Sequence, residues 1–202
     1  VVIGKDSIAF GAAKRTPEKL IESDEVSSFF NILPGLFGVI SGYQMDMQDE
    51  IEKIRIKAVE IYTTHGHIPT PDILSRIIAD IWQKRTQENS RRLAALNLSI
   101  VGYDGDKPLV YHTNSSGSLI PYKAVAFGEG DSTMMKTLEK TYKENLTEEE
   151  AKEVCLITLS TILGNDFLPS SVEVAMINKN TEKLHRLDVD GIDTLLSQIA
   201  ER

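Results

Sequence analysis

The sequence predicts an α+β fold, a four-layer αββα sandwich of two antiparallel sheets with helices outside each sheet. Short apolar runs separated by turn residues indicate antiparallel hairpins near the start and in the middle of the chain. Segments with helical periodicity come in pairs, which disfavours a parallel sheet with single helices between its strands. No Pro-, Ser- or Gly-rich linker interrupts the chain, so we expect one domain over residues 1–202.

Composition excludes several classes of function. The net charge of −8 disfavours a nucleic-acid partner, because such proteins usually carry a basic face. No apolar run approaches the roughly 20 residues that span a bilayer, so we expect no membrane partner. Cys155 is the single cysteine, which excludes an intrachain disulfide and suits a reducing compartment. The first residues include Lys5 and Asp6 and do not form a signal peptide, and we expect further native residues upstream.

The first elements are short strands. Pro34-Gly35 separates two apolar runs, and proline followed by glycine is typical of a type II turn. The strands are predicted at 1–3, 8–13, 29–32 and 36–40.

Two helices follow. Apolar residues recur at spacings of three and four, which predicts helices over 45–64 and 71–92. On these faces we expect Ile54, Ile77 and Ile81 to lie in the core.

The second half returns to strands and then to helices. Thr147 and Glu150 have the spacing of a capping box at a helix start, and Asp190 is predicted to cap the last helix. Further strands are predicted at 96–103, 109–111, 119–122, 124–127, 172–177 and 184–187.

Several short motifs along these elements resemble one known family. They are Lys5-Asp6, Ser41-Gly42, Pro108-Leu109-Val110-Tyr111, Ser116-Gly117 and Phe127-Gly128. Together they resemble alpha-type subunits of the proteasome core particle, and the resemblance covers essentially the whole chain. It implies the fold of the N-terminal-nucleophile hydrolases. The runs at 159–163 and 169–170 look most like the first alpha subunit of eukaryotic rings.

The chain also departs from the family pattern. The family's N-terminal gate segment and the helix after it have no counterpart here. The family's Arg-Pro-x-Gly run stands as Arg92-Leu93-Ala94-Ala95, and its Asp-Pro-Ser-Gly turn begins with Asn114.

Active members of the family use an N-terminal threonine, a carboxylate and a lysine. Carried onto this sequence, the threonine position falls just upstream of Val1, the carboxylate position is Ala13 and the lysine position is Ser28. The resemblance therefore implies no catalytic residue. Alpha-type subunits often carry a lysine at the position of Ser28, in a pocket between subunits that binds the tails of activators.

The function that the resemblance implies is a non-catalytic subunit of the alpha ring, supporting assembly, gating and activator docking in ubiquitin-dependent degradation. The expected partners are neighbouring alpha subunits, beta subunits and regulatory-particle ATPases or other activators, in cytoplasm and nucleus. Two alternatives stay open. One is a catalytic threonine hydrolase of the beta type, and the other is a free-standing α/β protein that binds a small ligand.

Other motifs have simpler interpretations. His65 and His67 lack a third ligand nearby in sequence, so no metal site is expected. Gly128 and Gly130 precede a helix, but acidic neighbours would repel a phosphate, so no cofactor is expected. Cys155 has apolar neighbours typical of a core residue.

Overall fold

A computed structural model describes residues 1–14, 20, 26–164, 167–179 and 183–200. The strands are β1 (Val2–Ile3), β2 (Ser7–Ala13), β3 (Phe29–Leu33), β4 (Leu36–Gly42), β5 (Leu96–Asp104), β6 (Lys107–Asn114), β7 (Leu119–Pro121), β8 (Val172–Asn178) and β9 (His185–Arg186). The helices are α1 (Gln44–His65), α2 (Pro71–Arg85), α3 (Asp131–Thr141), α4 (Glu148–Leu163) and α5 (Val189–Ala200). These elements form two units, one of residues 1–28, 124–178 and 184–202 and one of residues 29–123 and 179–183.

The unit of residues 29–123 contains a five-stranded antiparallel sheet. Its order, β3-β4-β5-β6-β7, follows the chain, so each strand pairs with the next one in sequence. The two residues Pro34 and Gly35 connect β3 to β4, and Gly35 has a φ of 74°, as the predicted type II turn requires. The hairpins expected in this part of the chain are confirmed.

Helices α1 and α2 lie between β4 and β5 in the chain and pack on this sheet. Ile54 of α1 is fully buried, as expected, together with Leu74 and Trp82 of α2. Ile77 and Ile81 are only partly buried and lie at the margin of the core, so the prediction that they are core residues is wrong. The buried stripe of α2 runs through residues spaced by four (Leu74, Ile78 and Trp82), and the two isoleucines flank it.

Helix α2 also ends at Arg85, seven residues before the predicted end. The next residues, Thr86 to Ser90, include threonine, asparagine and serine, which have low helix propensity.

The other unit contains a four-stranded antiparallel sheet of order β1-β2-β8-β9. Its central pair joins strands from opposite ends of the chain, with Ser7 opposite Asn178 and Ala13 opposite Val172. Helix α4 packs on this sheet and contacts both α3 and α5. Cys155 of α4 is buried, as expected of a core residue.

The ends of these helices follow local hydrogen bonding. The capping box at the start of α4 is confirmed, because Thr147 and Glu150 bond each other's backbone amides. The cap of α5 is Asp188 instead of Asp190, since its Oδ1 accepts from the backbone N–H of Gly191 and α5 starts at Val189.

The strand predicted at 124–127 is absent from this part of the described chain. Ala124 makes an isolated bridge with Val2, and the backbone N–H of Ala126 donates to the Sδ of Met135. The segment therefore forms an isolated bridge beside β1 without continuing the ladder.

The expected α+β class, with two antiparallel sheets and helices packed on each, is confirmed. Within the described ranges, no helix combines the length and apolarity that crossing a membrane requires.

Candidate functional site

Ser28, the position predicted to contribute to a docking pocket, lies directly before β3 and is half-buried. Its backbone N–H donates to Oε1 of Glu173 over 2.7 Å. The hydroxyl of Ser27 donates to the other oxygen, Oε2, over 2.8 Å. Both serines are therefore fixed to one carboxylate, and they lie at one end of the four-stranded sheet.

Glu173 is a buried acidic residue in the apolar run 172–177 of strand β8, and it is 6% exposed. The guanidinium of Arg186, on the neighbouring strand β9, lies 3.8 Å from Oε2. Burial raises the pKa of Glu173, while the bonds from Ser28 and Ser27 and the charges of Arg186 and Lys14 act in the opposite direction. The raised pKa means that the cost of burying the charge exceeds the gain from these partners.

Two of the positions carried over from active family members, the carboxylate position Ala13 and the lysine position Ser28, lie at this same end of the sheet. Ala12 is the partner of Glu173 across β2 and β8, so Ala13 is the next residue along β2. Ser28 bonds to the same glutamate. Neither the methyl group of Ala13 nor the hydroxyl of Ser28 supplies the carboxylate or ammonium group of an active site.

The third position, that of the threonine, falls just upstream of Val1. The N of Val1 donates to the carbonyl O of Val125 over 2.9 Å, and the N–H of Val125 donates back to the O of Val1. It is buried at the start of the four-stranded sheet, next to β1.

Sequence reasoning missed Glu173 and Arg186. One signal was available, because Glu173 interrupts the apolar run at 172–177, and a charge within a buried strand needs partners. The partners themselves could not be read from the sequence, since Ser28 and Glu173 are 145 residues apart.

The two glycines before α3, Gly128 and Gly130, both have a positive φ, which is 110° at Gly128. Gly130 has a φ of 72°, and a Cβ at this position would lie 2.3 Å from the Cδ1 of Ile162. Backbone conformation and packing against α4 therefore both require glycine there.

The histidine pair lies at the end of α1. His65 and His67 are exposed, and their ring centroids are 6.1 Å apart. Within the part of the chain that the structure describes, no three His, Cys, Asp or Glu side chains are grouped so that they could hold a metal ion.

The run Arg92-Leu93-Ala94-Ala95, which differs from the family pattern, is hydrogen-bonded to Asp46 in the first turn of α1. The guanidinium of Arg92 donates to both oxygens of Asp46 over 2.5 and 2.6 Å, and the backbone N–H of Ala95 donates to the same carboxylate over 2.8 Å. These bonds hold the pKa of Asp46 at about 2. This contact links the connection before β5 to α1 although the family's proline and glycine are missing.

Comparison with known proteins matches residues 1–177 to the family described as "Proteasome subunit". The chain belongs to the proteasome subunit family. Among curated proteins, it is 30% identical to the proteasome subunit alpha of Methanococcus maripaludis strain S2, over 98% of this chain and 76% of that protein. It is 29% identical to the corresponding protein of Methanocaldococcus jannaschii, over 96% and 74%, and 26% identical to that of Archaeoglobus fulgidus, over 98% and 80%.

All three relatives are named proteasome subunit alpha, which favours the alpha type over the beta type for this chain. They are archaeal, so they do not add support to the narrower resemblance to the first alpha subunit of eukaryotic rings.

Proposed function

We propose that this chain is a non-catalytic structural subunit of the alpha ring of a proteasome core particle. The observation that carries the proposal is the similarity along 98% of the chain to proteins named proteasome subunit alpha. In the ring the chain packs against neighbouring alpha subunits and against beta subunits. It supports gating and the docking of regulatory-particle ATPases or other activators.

The residues at the positions that are catalytic in active family members support the non-catalytic part of the proposal. A threonine hydrolase needs a base or a tuned amine beside its nucleophile, and a lysine and a carboxylate provide that tuning. Ala13 and Ser28 offer neither group, and Glu173 already bonds both serines. The beta-type alternative is therefore disfavoured.

We extend the proposal to the cellular role of the chain and to its position in the ring. We place the chain in ubiquitin-dependent protein degradation in cytoplasm and nucleus, at the position of the first alpha subunit of a eukaryotic ring. The similarity of the runs at 159–163 and 169–170 to that subunit supports this placement.

Native mass spectrometry of the endogenous complex, isolated through a tag on this chain, tests the proposal. We expect a particle that contains this chain together with beta subunits. The number of copies tests the ring position, since one copy per ring supports a ring of different alpha subunits. Several copies per ring would contradict the eukaryotic position, and a complex without beta subunits would contradict the function.

Ser28 gives a sharper test of docking. Serine has no charge and a short side chain, so its pocket should bind the carboxylate of an activator tail weakly, or with help from a basic neighbour. We predict that Ser28→Lys strengthens the binding of a tail peptide by about ten-fold, because a hydrogen bond to a charged group contributes roughly 1.5–3 kcal/mol. The measurement is a peptide titration on assembled particles, and equal affinity of wild type and variant would contradict the prediction.

A further inference from the structure

The strands at the edges of the two sheets differ in length. In the described ranges, β1 and β9 lie at the edges of one sheet, and β3 and β7 at the edges of the other. Strands β1 and β9 have two residues each, and β7 has three, the last of which is Pro121 and lacks a backbone N–H. Strand β3 has five residues and no proline. An edge strand presents backbone groups that can pair with a second chain, and β3 presents the longest such row among these four.

The sequence around β3 contains no charge that would oppose such pairing. No charged residue stands between Glu25 and Asp46, and this stretch includes both β3 and β4. Uncharged segments rich in residues of high β propensity tend to pair with copies of themselves, and natural sequences usually place a charged residue beside them. A charge that protects the edge of β3 therefore has to come from another element of the fold.

Helix α1 places such a charge on β3 through Arg55. Nε of Arg55 donates to the backbone O of Asn31 over 2.9 Å. The guanidinium carbon lies 5.9 Å from the centroid of the Phe30 ring, within the range of a cation–π contact. The ring lies over Gly38 of β4, where a Cβ would be only 2.2 Å from its Cζ. The exposed Arg55 side chain is thus held against the edge strand by one hydrogen bond and one ring contact.

These contacts fall on the regular part of β3. The register with β4 is regular from Phe29 to Asn31 and shifts between Asn31 and Leu33. An irregularity of this kind twists an edge strand and by itself disfavours pairing with another chain. Arg55 therefore contacts the residues of β3 that the irregularity leaves able to pair.

We propose that Arg55 protects the edge of β3 from pairing with the same strand of a second copy of this chain. Two copies that pair along this edge bring their Arg55 guanidinium groups close together, and the like charges disfavour the pairing. The hydrogen bond also occupies the O of Asn31, a backbone acceptor of the edge strand. This role concerns the chain before any assembly, so it does not depend on the proposed function.

The test measures aggregation of the purified chain by light scattering, at a temperature well below the unfolding midpoint of every variant. We expect Arg55→Gln to aggregate about ten-fold faster than the wild type, because the edge loses both its charge and its bonded acceptor. Arg76→Gln is the matched control, since it removes one positive charge from an exposed arginine of α2 that bonds Asp72. Its rate should stay at the wild-type value, and equal rates for the two variants would overturn the proposal.

Two further measurements separate edge pairing from a general loss of stability. Amide hydrogen exchange of the aggregate should show residues 29–31 more strongly protected than in the soluble protein. Adding Asn31→Lys to Arg55→Gln should return the aggregation rate to the wild-type value, because it restores a positive charge at an exposed position of the same edge. Faster aggregation without this protection, or without this rescue, would overturn the role of Arg55.

A second variant keeps the test decisive if Arg55→Gln does not fold. Arg55→Lys keeps the charge but loses the Nε donor that bonds Asn31. We expect it to aggregate about two-fold faster than the wild type, and Asn31→Lys should reverse this as well. An unchanged rate in Arg55→Lys would then overturn the proposal.

Discussion

Asn145, in the loop between α3 and α4, has a φ of 61° and is the one non-glycine residue in the described ranges with a positive φ. Asparagine tolerates this left-handed region better than most residues, and glycine tolerates it without strain. We predict that Asn145→Ala lowers the free energy of unfolding by about 1 kcal/mol, while Asn145→Gly stays close to wild type. Urea denaturation of the three proteins checks this, and equal stability of the two variants would contradict it.

His112 makes the stability of the protein depend on pH. Burial lowers its pKa to about 4, and its ring Nδ1 lies 3.1 Å from the Oγ of the buried Ser99. The unfolded chain binds a proton at this histidine below about pH 6.5, whereas the folded chain keeps the ring neutral down to about pH 4. The stability that is present above pH 6.5 is therefore progressively lost as the pH falls from 6.5 through 4.

The lost contribution amounts to roughly 3 kcal/mol by pH 4, from a change of about 1.4 kcal/mol per pKa unit. We predict that His112→Gln removes this part of the acid sensitivity. The measurement is the free energy of unfolding of both proteins between pH 7 and pH 4. If the free energies of unfolding of the two proteins fall in parallel with pH, His112 does not cause the acid sensitivity.

At the scale of the elements, α1 and α2 are joined by a buried carboxylate. Glu50 of α1 accepts from the indole N–H of Trp82 over 2.7 Å and from the guanidinium of Arg85 over 2.8 and 3.2 Å, both on α2. Lys53 donates to it from the next turn of α1. The carboxylate is thus paired and fully bonded although it is buried.

We predict that Glu50→Ala lowers the free energy of unfolding by about 3–5 kcal/mol, because the partly buried guanidinium of Arg85 and the buried indole of Trp82 lose their acceptor. Asp49→Ala is the matched control on the same helix, where the side chain is 62% exposed and pairs with Lys53. Its cost should stay below about 1 kcal/mol. Chemical denaturation measures both, and equal effects would show that the network does not stabilise the helix pair.

Periodicity and turn chemistry predicted most of these elements. The apolar spacing predicted a helix over 45–64, and α1 begins and ends within one residue of those bounds. The capping box of α4 could be predicted because it needs only Thr147 and Glu150, three residues apart. Exposure at the margin of a stripe could not be predicted, and Ile77 and Ile81 show why. An apolar side chain beside a buried stripe is buried only if the neighbouring element extends over it, which periodicity along one helix does not reveal.

At the scale of the whole molecule, the candidate site was only half predictable. Resemblance located Ser28 and Ala13, because motif positions can be counted along the chain. Glu173 and Arg186 join them through a strand pairing between distant parts of the sequence, and no local pattern encodes that pairing. The same holds for the bond between Asp46 and Arg92, which are 46 residues apart in the sequence.

The whole chain should also be silent as a hydrolase. We predict that the purified protein cleaves no fluorogenic peptide and is not labelled by covalent inhibitors directed at a catalytic threonine, because the residues at positions 13 and 28 lack the required groups. Cys155 offers no substitute nucleophile, since burial raises the pKa of its thiol. Intact-mass measurement after inhibitor treatment is the readout, and stoichiometric labelling would contradict the prediction.

The pairing of β2 with β8 has a consequence for the order in which the protein is made. The five-stranded sheet uses residues 29–121 only, so its hairpins and helices can form as soon as that stretch has left the ribosome. Strand β2 is synthesised long before residues 172–178, and closing so long a loop carries a larger entropy cost. Until β8 has left the ribosome, β2 can pair only with the two-residue strand β1. In that interval one edge of the apolar segment Ile8, Ala9 and Phe10 is open to a chaperone.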